Sequence, residues 1–518
     1  MNLAILLGVM VALMLLGARL FVVVGIATAL CFVLYAGGDV ETIIQLDRMI
    51  TKMESLTTKN VFLSIPFFIA SGSIMTKGGI ARRLTDLARA AVGWMPGGLA
   101  VASVVACIVF AAISGSSPVT LVAVGSVMFP ALVASGYPKP FSIGLITSAG
   151  SLGCMIPPAI AMLIYSISVQ GSAAVDPADL FFAGIIPALF IAGLLAAYAV
   201  WVGLGVPGSR SPFDGAALWS ALKGAGWALT LPAIVLGGIY GGVFTPTEAG
   251  AVAFAASVIV TCAIHQDVPW AKVPSILVEA ATLIGSLILI VVLAFGLNDF
   301  LAEIDAPGVI RTWVQTADLS AWQFMLLVNV VLIVLGALMD SISATLVFAP
   351  ILAPVAINHY GIDPIHFGIV FVVNMEIGYI APPVATNLFV AAAIFRQPFI
   401  DVAKAIVPTL TIICAALVVL IYVPTISKGP INLREGDPFY ESFPWAGKAD
   451  EAPVAPDVPA EATPAEPGRP LTREEMMKKA KENAAAEEAP APEPGRPLTM
   501  EEMMKKAKEN VAKDEATP

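Results

Sequence analysis

Residues 114–122 read SGSSPVTLV and residues 339–347 read MDSISATLV. Each stretch is followed by a turn glycine, Gly136 or Gly361, and then by a proline pair, in GCMIPP at 153–158 and in GYIAPP at 378–383. One offset of 225 residues superposes Ser116 on Ser341, Thr120 on Thr345, Gly153 on Gly378 and both prolines of each pair. Both copies interrupt segments apolar enough to lie inside a bilayer. Matching helix breaks in two halves of a chain are the sequence mark of an ion and substrate site in a transporter.

Composition sets the solvent. Hydrophobic residues make up 58% of the chain, charged ones 13%, and the mean hydropathy is +0.86, which excludes a water-soluble domain of this length. Apolar runs near the ~20 residues that cross a bilayer recur from Leu3 to Val423, many interrupted by Gly, Pro or a polar cluster. The opening residues imitate a signal peptide but lack a basic leader, and a second apolar run follows Arg19, so they read as a retained first helix. Five cysteines lie in apolar stretches without metal or redox spacing. The net charge of −10 divides into −6 beyond Ser427 and −4 before it, so nucleic acid is not an expected partner.

The expected fold is an all-α polytopic membrane protein built from two repeats, each with a re-entrant helical hairpin and a broken transmembrane helix. Scaffold helices occupy 1–60. The first repeat fills 61–202, with its tip at 114–118 and its break at 153–158. Residues 203–273 hold a loop and connecting scaffold helices. The second repeat fills 274–426, with its tip at 340–343 and its break at 378–383. The rest, 427–518, is a Pro/Ala/Glu-rich tail expected to be largely disordered. Within it a 17-residue motif occurs at 467–483 and again at 494–510. Each copy carries a capping box, Thr472 with Glu475 or Thr499 with Glu502, and reads as a short amphipathic helix, either a docking element or a duplication without function.

Loop charge orients the repeats. Lys77, Arg82, Arg83 and Arg89 stand against Asp86 between helices of the first half, a cytoplasmic signature. The equivalent stretch of the second half holds Asp299, Glu303, Asp305 and Asp318 against Arg311. The sign also switches between Lys139 and Asp363, and between Asp176 with Asp179 and Arg396 with Lys404. Repeats that agree in sequence but oppose in loop charge are inverted across the bilayer. On this path Arg210 and Lys223 fall in a cytoplasmic loop, and parity puts both chain ends outside, in the periplasm of a bacterium.

The breaks supply the chemistry. Stopping a helix inside a bilayer frees carbonyls at one half-helix end and N–H groups at the other. Freed carbonyls with Ser, Thr and Asp oxygens suit Na⁺, whereas half-helix N-termini and hydroxyls suit a carboxylate. The first tip offers Ser114, Gly115, Ser116 and Ser117, with Thr120, facing Gly153 and Pro157. The second offers Asp340, Ser341 and Ser343, with Thr345, facing Gly378 and Pro382, and Thr386 and Asn387 lie just beyond. Asp340 stands out because an ionised carboxylate at that depth marks an ion or proton site. Glu376 and Asn374 fit structural hydrogen bonding as readily as ligation. His265, His359 and His366 form no cluster. Thr245, Pro246 and Glu248 read as a helix start with a capping box. No nucleophile, metal cluster or pair of catalytic acids points to an enzyme, and no cofactor is expected.

At these residues the chain resembles the large membrane subunit of tripartite ATP-independent periplasmic (TRAP) transporters. The resemblance rests on AAISGSSPVTLVAVGSVMFPAL (111–132), SLGCMIPPAI (151–160), GGVFTPTEAGAVA (241–253), LMDSISATLVFAPILAPV (338–355), GYIAPPVATNLFVA (378–391) and GGIARRLTDLARA (78–90). It implies a Na⁺-driven elevator, with hairpins and broken helices forming a transport domain held by a scaffold in the bacterial inner membrane. It also implies a soluble periplasmic binding protein and a small membrane subunit, expected here as a separate polypeptide. Carried over by position, Ser114–Ser117 with Gly153 and Pro157 resemble one Na⁺ site. Asp340, Ser341 and Ser343 with Gly378, Pro382 and Thr386 resemble the other. An organic anion, a C4-dicarboxylate, 2-oxo acid or sugar acid, would lie between the tips near Ser116, Thr120, Thr345 and Asn387. A stand-alone Na⁺/dicarboxylate symporter shares the inverted hairpins and needs no binding protein.

Overall fold

The computed structural model describes residues 60–444, apart from 171–172, 208–209, 211, 304–305, 339–340 and 383–384, together with six positions between 22 and 30. Asp340, Pro383, nearly all of the N-terminal 1–60 stretch and both tail motifs lie outside the described residues.

Helices account for the regular structure of the described residues. The first repeat runs α1 (Asn60–Lys77), α2 (Ile80–Val92), α3 (Gly98–Ser114), α4 (Ser117–Ala134), α5 (Lys139–Ser151), α6 (Ile160–Ser168) and α7 (Pro177–Gly203). Two helices connect the halves, α8 (Gly215–Tyr240) and α9 (Pro246–Val258). The second repeat runs α10 (Val273–Glu303), α11 (Ala306–Thr316), α12 (Ala321–Leu338), α13 (Ser341–Pro354), α14 (Pro364–Ile380), α15 (Thr386–Phe395) and α16 (Phe399–Tyr422), followed by α17 (Thr425–Glu435). Seven of the described segments are long and apolar enough to cross a bilayer. Others are fragments. At a rise of ~1.5 Å per residue, the 13 residues of α5 and nine of α6 reach ~20 and ~14 Å, so only together do they span a ~30 Å hydrocarbon layer.

α16 measures the inversion. In its first half, Thr409 Oγ1 donates to Gly144 O at 3.3 Å, and a Cβ on Gly144 would lie 2.3 Å from Ala405 O. Near its end, His366 Nε2 lies 3.1 Å from Ile421 O. Gly144 and Ser148 of α5 thus meet α16 at Ala405 and Thr409, in the same chain direction, whereas His366 at the start of α14 meets it ~18 Å beyond Thr409, so the two helices approach from opposite ends. Between them, Ser151 Oγ donates to Glu376 Oε1 at 2.9 Å. These two residues are equivalents under the 225-residue offset, and equivalent positions that touch each other sit on the axis relating the repeats.

Hairpin and turn signals fall where sequence places them. α3 and α4 meet at Gly115 and Ser116, and Gly136 and Gly361 both have positive φ. The Thr245 capping box closes with Glu248, whose carboxylate accepts from Thr245 N at 2.9 Å. Three expectations are corrected. The second break begins at 381, not 378, because α14 continues to Ile380 and encloses Gly378. Lys223 sits within α8, its ammonium 5.4 Å from the Trp219 ring centroid, rather than in a loop. The fold also continues past residue 426. α17 packs on α7 and α14, Lys428 pairs with Asp363 at 2.9 Å, Arg434 pairs with Asp179 at 2.5 Å, and Phe443 is buried against Tyr422.

Candidate functional site

The first tip is seated directly on the first break. α3 ends at Gly115 with φ 59°, a left-handed conformation that glycine holds at least cost. Its carbonyl accepts from Ile160 N at 3.4 Å, which gives the first turn of α6 a partner that its own helix cannot supply. A Cβ at Gly115 would lie 2.1 Å from Pro158 O, and one at Gly153 would lie 2.9 Å from the Ser116 carbonyl and the Ser117 nitrogen. Glycine on both sides lets two backbones meet where any side chain would part them.

Hydroxyls fill the seam. Ser114 Oγ and Thr120 Oγ1 are 2.9 Å apart, and Thr120 Oγ1 also donates to Ser116 O at 2.9 Å. The second tip repeats the second bond at equivalent positions, with Thr345 Oγ1 donating to Ser341 O at 2.6 Å. Ser114, Ser117, Thr120, Ser341, Ser343 and Thr345 are all buried, as are Gly153 and Pro157. The Pro157–Pro158 peptide is cis.

The two repeats contribute to one site. Asn387, one residue into α15, donates through Nδ2 to Ser117 Oγ of the first tip. Its Oδ1 is buried and has no hydrogen-bond partner. The Cys154 thiol, in the first break, lies against the Ser117 backbone and the Ser341 side chain, so the two tips approach within the width of one residue. An unpartnered amide oxygen among hydroxyls and freed carbonyls is what a dehydrated alkali cation needs, and it needs no fixed negative charge. Among the described residues, no three His, Cys, Asp or Glu side chains converge as a transition-metal site.

Gly378 does not join this group. It lies inside α14, and a Cβ there would come within 2.5 Å of Gly336 Cα, so its smallness serves close packing of α12 on α14. Asn374 and Glu376 take structural partners through one polar atom each, while Asn374 Oδ1 and Glu376 Oε2 are buried without a hydrogen-bond partner. Asn374 Nδ2 donates to Asn329 Oδ1 and to Val370 O at 2.8 Å, while Glu376 meets Ser151. Pro382 and Thr386 are exposed beside the second break. Sequence reasoning overlooked Cys154, the point where the tips approach. It also left the Ser151–Glu376 pair unused, although the offset itself aligns the two residues.

A family model described as "Tripartite ATP-independent periplasmic transporter, DctM component" matches residues 7–426. The large permease DctM of a C4-dicarboxylate TRAP transporter from Rhodobacter capsulatus is 38% identical over 449 residues, 84% of this chain and 99% of that one. The Pseudomonas aeruginosa protein of the same name is 40% identical over 405 residues, 78% and 92% of the two chains. The large permease TeaC of an ectoine TRAP transporter from Halomonas elongata is 31% identical over 82% and 97%. A solved structure, the YdaH transporter of Alcanivorax borkumensis, is similar with a TM-score of 0.53, covering 78% of this chain and 91% of that one at 14% identity, a likeness of fold. Inverted broken helices, a shared polar seam and this extent of matching lead to one conclusion: the chain belongs to the DctM family of TRAP transporter large permeases, multi-pass membrane proteins that transport and do not catalyse.

Proposed function

We propose that this chain is the carrier of a Na⁺-driven uptake system for an organic anion. A soluble periplasmic binding protein delivers the solute, and a small membrane subunit braces the scaffold. The observation that carries the reading is the buried, unpartnered Asn387 Oδ1 beside Ser117, with the Gly115–Gly153 seam packed against it. Na⁺ binding there would join the first tip to the second repeat. The second Na⁺ site would use Asp340, Ser341 and Ser343 with Pro382 and Thr386, and the substrate carboxylate would lie between the tips. The relatives named for C4-dicarboxylate and for ectoine suit a permease whose solute is chosen by its partner, and a C4-dicarboxylate, 2-oxo acid or sugar acid is the proposed class.

Movement follows from packing. The hairpins and broken helices pack on one another and on α7 and α16, so they would travel as a unit past α1, α8, α9 and α10 in an elevator cycle. In the inner membrane, α2 would face the cytoplasm and α17 the periplasm, with both chain ends outside. Reconstitution of the chain with both partners in liposomes tests the reading. Substrate should accumulate only with an inward Na⁺ gradient, and accumulation indifferent to Na⁺ overturns it.

A further inference from the structure

Between α2 and the start of α8 lies an open cavity of about 520 Å³ whose lining includes Arg83, Asp86, Arg89, Trp94, Asp214 and Ser220. Two of its charged groups are already engaged. Arg83 forms a fork on Asp267, at 2.5 and 3.0 Å. Asp214 caps α8, its Oδ1 accepting from Ala216 N at 2.9 Å and Ala217 N at 3.1 Å, which leaves Oδ2 outside the cap. Asp86 and Arg89 are different. They stand three residues apart on an amphipathic helix, yet neither enters an ion pair or side-chain hydrogen bond among the described residues.

The surroundings place this cavity at headgroup depth. Trp94 at its rim is half exposed, and Trp219 stands exposed in the second turn of α8. Indoles of this kind collect where a bilayer meets water. A cavity at that level with a free guanidinium, a free carboxylate, a half-used carboxylate and a hydroxyl asks for a ligand carrying both signs. A phosphate suits the guanidinium fork, and a primary ammonium with three N–H donors suits the carboxylates. An anionic glycerol headgroup offers the carboxylates no cation, and a trimethylated ammonium offers them no donor.

We propose that this cavity is a binding site for the headgroup of a phosphatidylethanolamine-type lipid, with its phosphate on Arg89 and its ammonium between Asp86 and Asp214. The lipid would wedge α2, which links α1 to the first hairpin, against α8. The inference rests on the cavity and on the chain's place in a membrane and is independent of Na⁺ coupling.

The test uses the full chain, purified in detergent, with lipids of equal acyl length carrying ethanolamine, choline or glycerol headgroups, followed by native mass spectrometry and thermal unfolding. The ethanolamine lipid should be retained and should raise the unfolding midpoint, with the other two retained roughly tenfold less, the scale of one lost charge-assisted hydrogen bond. Arg89→Ala and Asp86→Ala should each cut its retention by a similar factor. Arg82→Ala, on the same helix but outside the cavity lining, should not. If Arg89→Ala proves unstable, Arg89→Gln serves in its place. Equal retention of the three lipids, or undiminished retention by the Arg89 variant, overturns the proposal. Equal stabilisation by soluble phosphoethanolamine or inorganic phosphate overturns the lipid as the source.

Discussion

Gly115 and Gly153 hold the first tip on the first break, and substitution should separate them. Gly115→Ala asks an L side chain to hold φ 59° and places its methyl 2.1 Å from Pro158 O. Uptake in proteoliposomes should fall by about tenfold or more, because left-handed strain and backbone overlap act together. Asn387→Ala removes the donor to Ser117 and the unpartnered oxygen. The Na⁺ concentration for half-maximal uptake should rise roughly tenfold, the scale of one lost polar contact in a buried site, while Asn387→Ala protein still purifies as a folded species. An unchanged Na⁺ requirement would return Asn387 to a packing role. Serines at the tips are legible in sequence because polar residues are conspicuous in an apolar run. Cys154 is not, because a cysteine among apolar neighbours looks like core, and only the folded approach of Ser117 and Ser341 distinguishes it. Gly378 misleads for a related reason. Glycine beside a proline pair reads as a break, but helix packing against Gly336 gives it another use.

α17 shows what a composition boundary hides at the level of an element. The chain turns polar after Val423, so α17 reads as the beginning of the tail. Its order comes from partners remote in sequence: Asp179 on α7, Asp363 at the start of α14, and His366, whose Nδ1 lies 2.8 Å from Ser427 Oγ. No periodicity announces such contacts. Asp363 also caps α14, accepting from Ile365 N at 2.8 Å and His366 N at 3.0 Å, so Lys428 steadies a helix start as well as a charge. Burial alone would depress the Lys428 ammonium, but Asp363, with Glu441 and Glu435 behind it, raises it overall above 10.5. A raised lysine contributes fully below its unfolded value and loses that contribution only as pH climbs through the folded one. Lys428→Ala should therefore cost about 2 kcal/mol at neutral pH, read as a lower thermal midpoint, and the difference from the parent should shrink at strongly alkaline pH. The Arg83–Asp267 fork behaves oppositely. Burial pushes the Asp267 carboxyl up, but Arg83 and the Gly79 N–H outweigh it and hold the carboxyl below 3.8. Its stabilisation is present above that value and is lost as pH falls through the lower, folded one. Arg83→Ala should lower the midpoint at pH 7, and its difference from the parent should shrink only as pH falls well below 3.8, through the lower folded value.

For the whole molecule, two independent kinds of evidence lead to the same inversion. Loop charge argues it from the contrast between Lys77, Arg82, Arg83 and Arg89 and the acidic stretch equivalent to them. Geometry argues it from α16, which meets Gly144 of α5 in its first half and the start of α14 near its far end. Charge patterning is legible because a bilayer sorts lysine and arginine by side. The crossing of Ser151 with Glu376 is not, since nothing in a linear chain says that two equivalent positions meet. The amphipathic helices α2 and α11 then become equivalents on opposite faces, with Ala90 matching Gln315 under the same offset. Single cysteines at these positions should react with a membrane-impermeant maleimide from opposite sides of sealed, oriented vesicles: Ala90→Cys from the cytoplasmic side and Gln315→Cys from the periplasmic side. The buried native Cys107, Cys154 and Cys262 should stay silent in intact protein, and a background variant without Cys31 and Cys414 removes the two other native thiols. Labelling of both positions from one side would remove the inversion and, with it, alternating access by exchange of two mirrored halves. Labelling from opposite sides in reversed order would keep the inversion and place both chain ends in the cytoplasm, because orientation rests on cation bias whereas the inversion rests on where α5 and α14 meet α16.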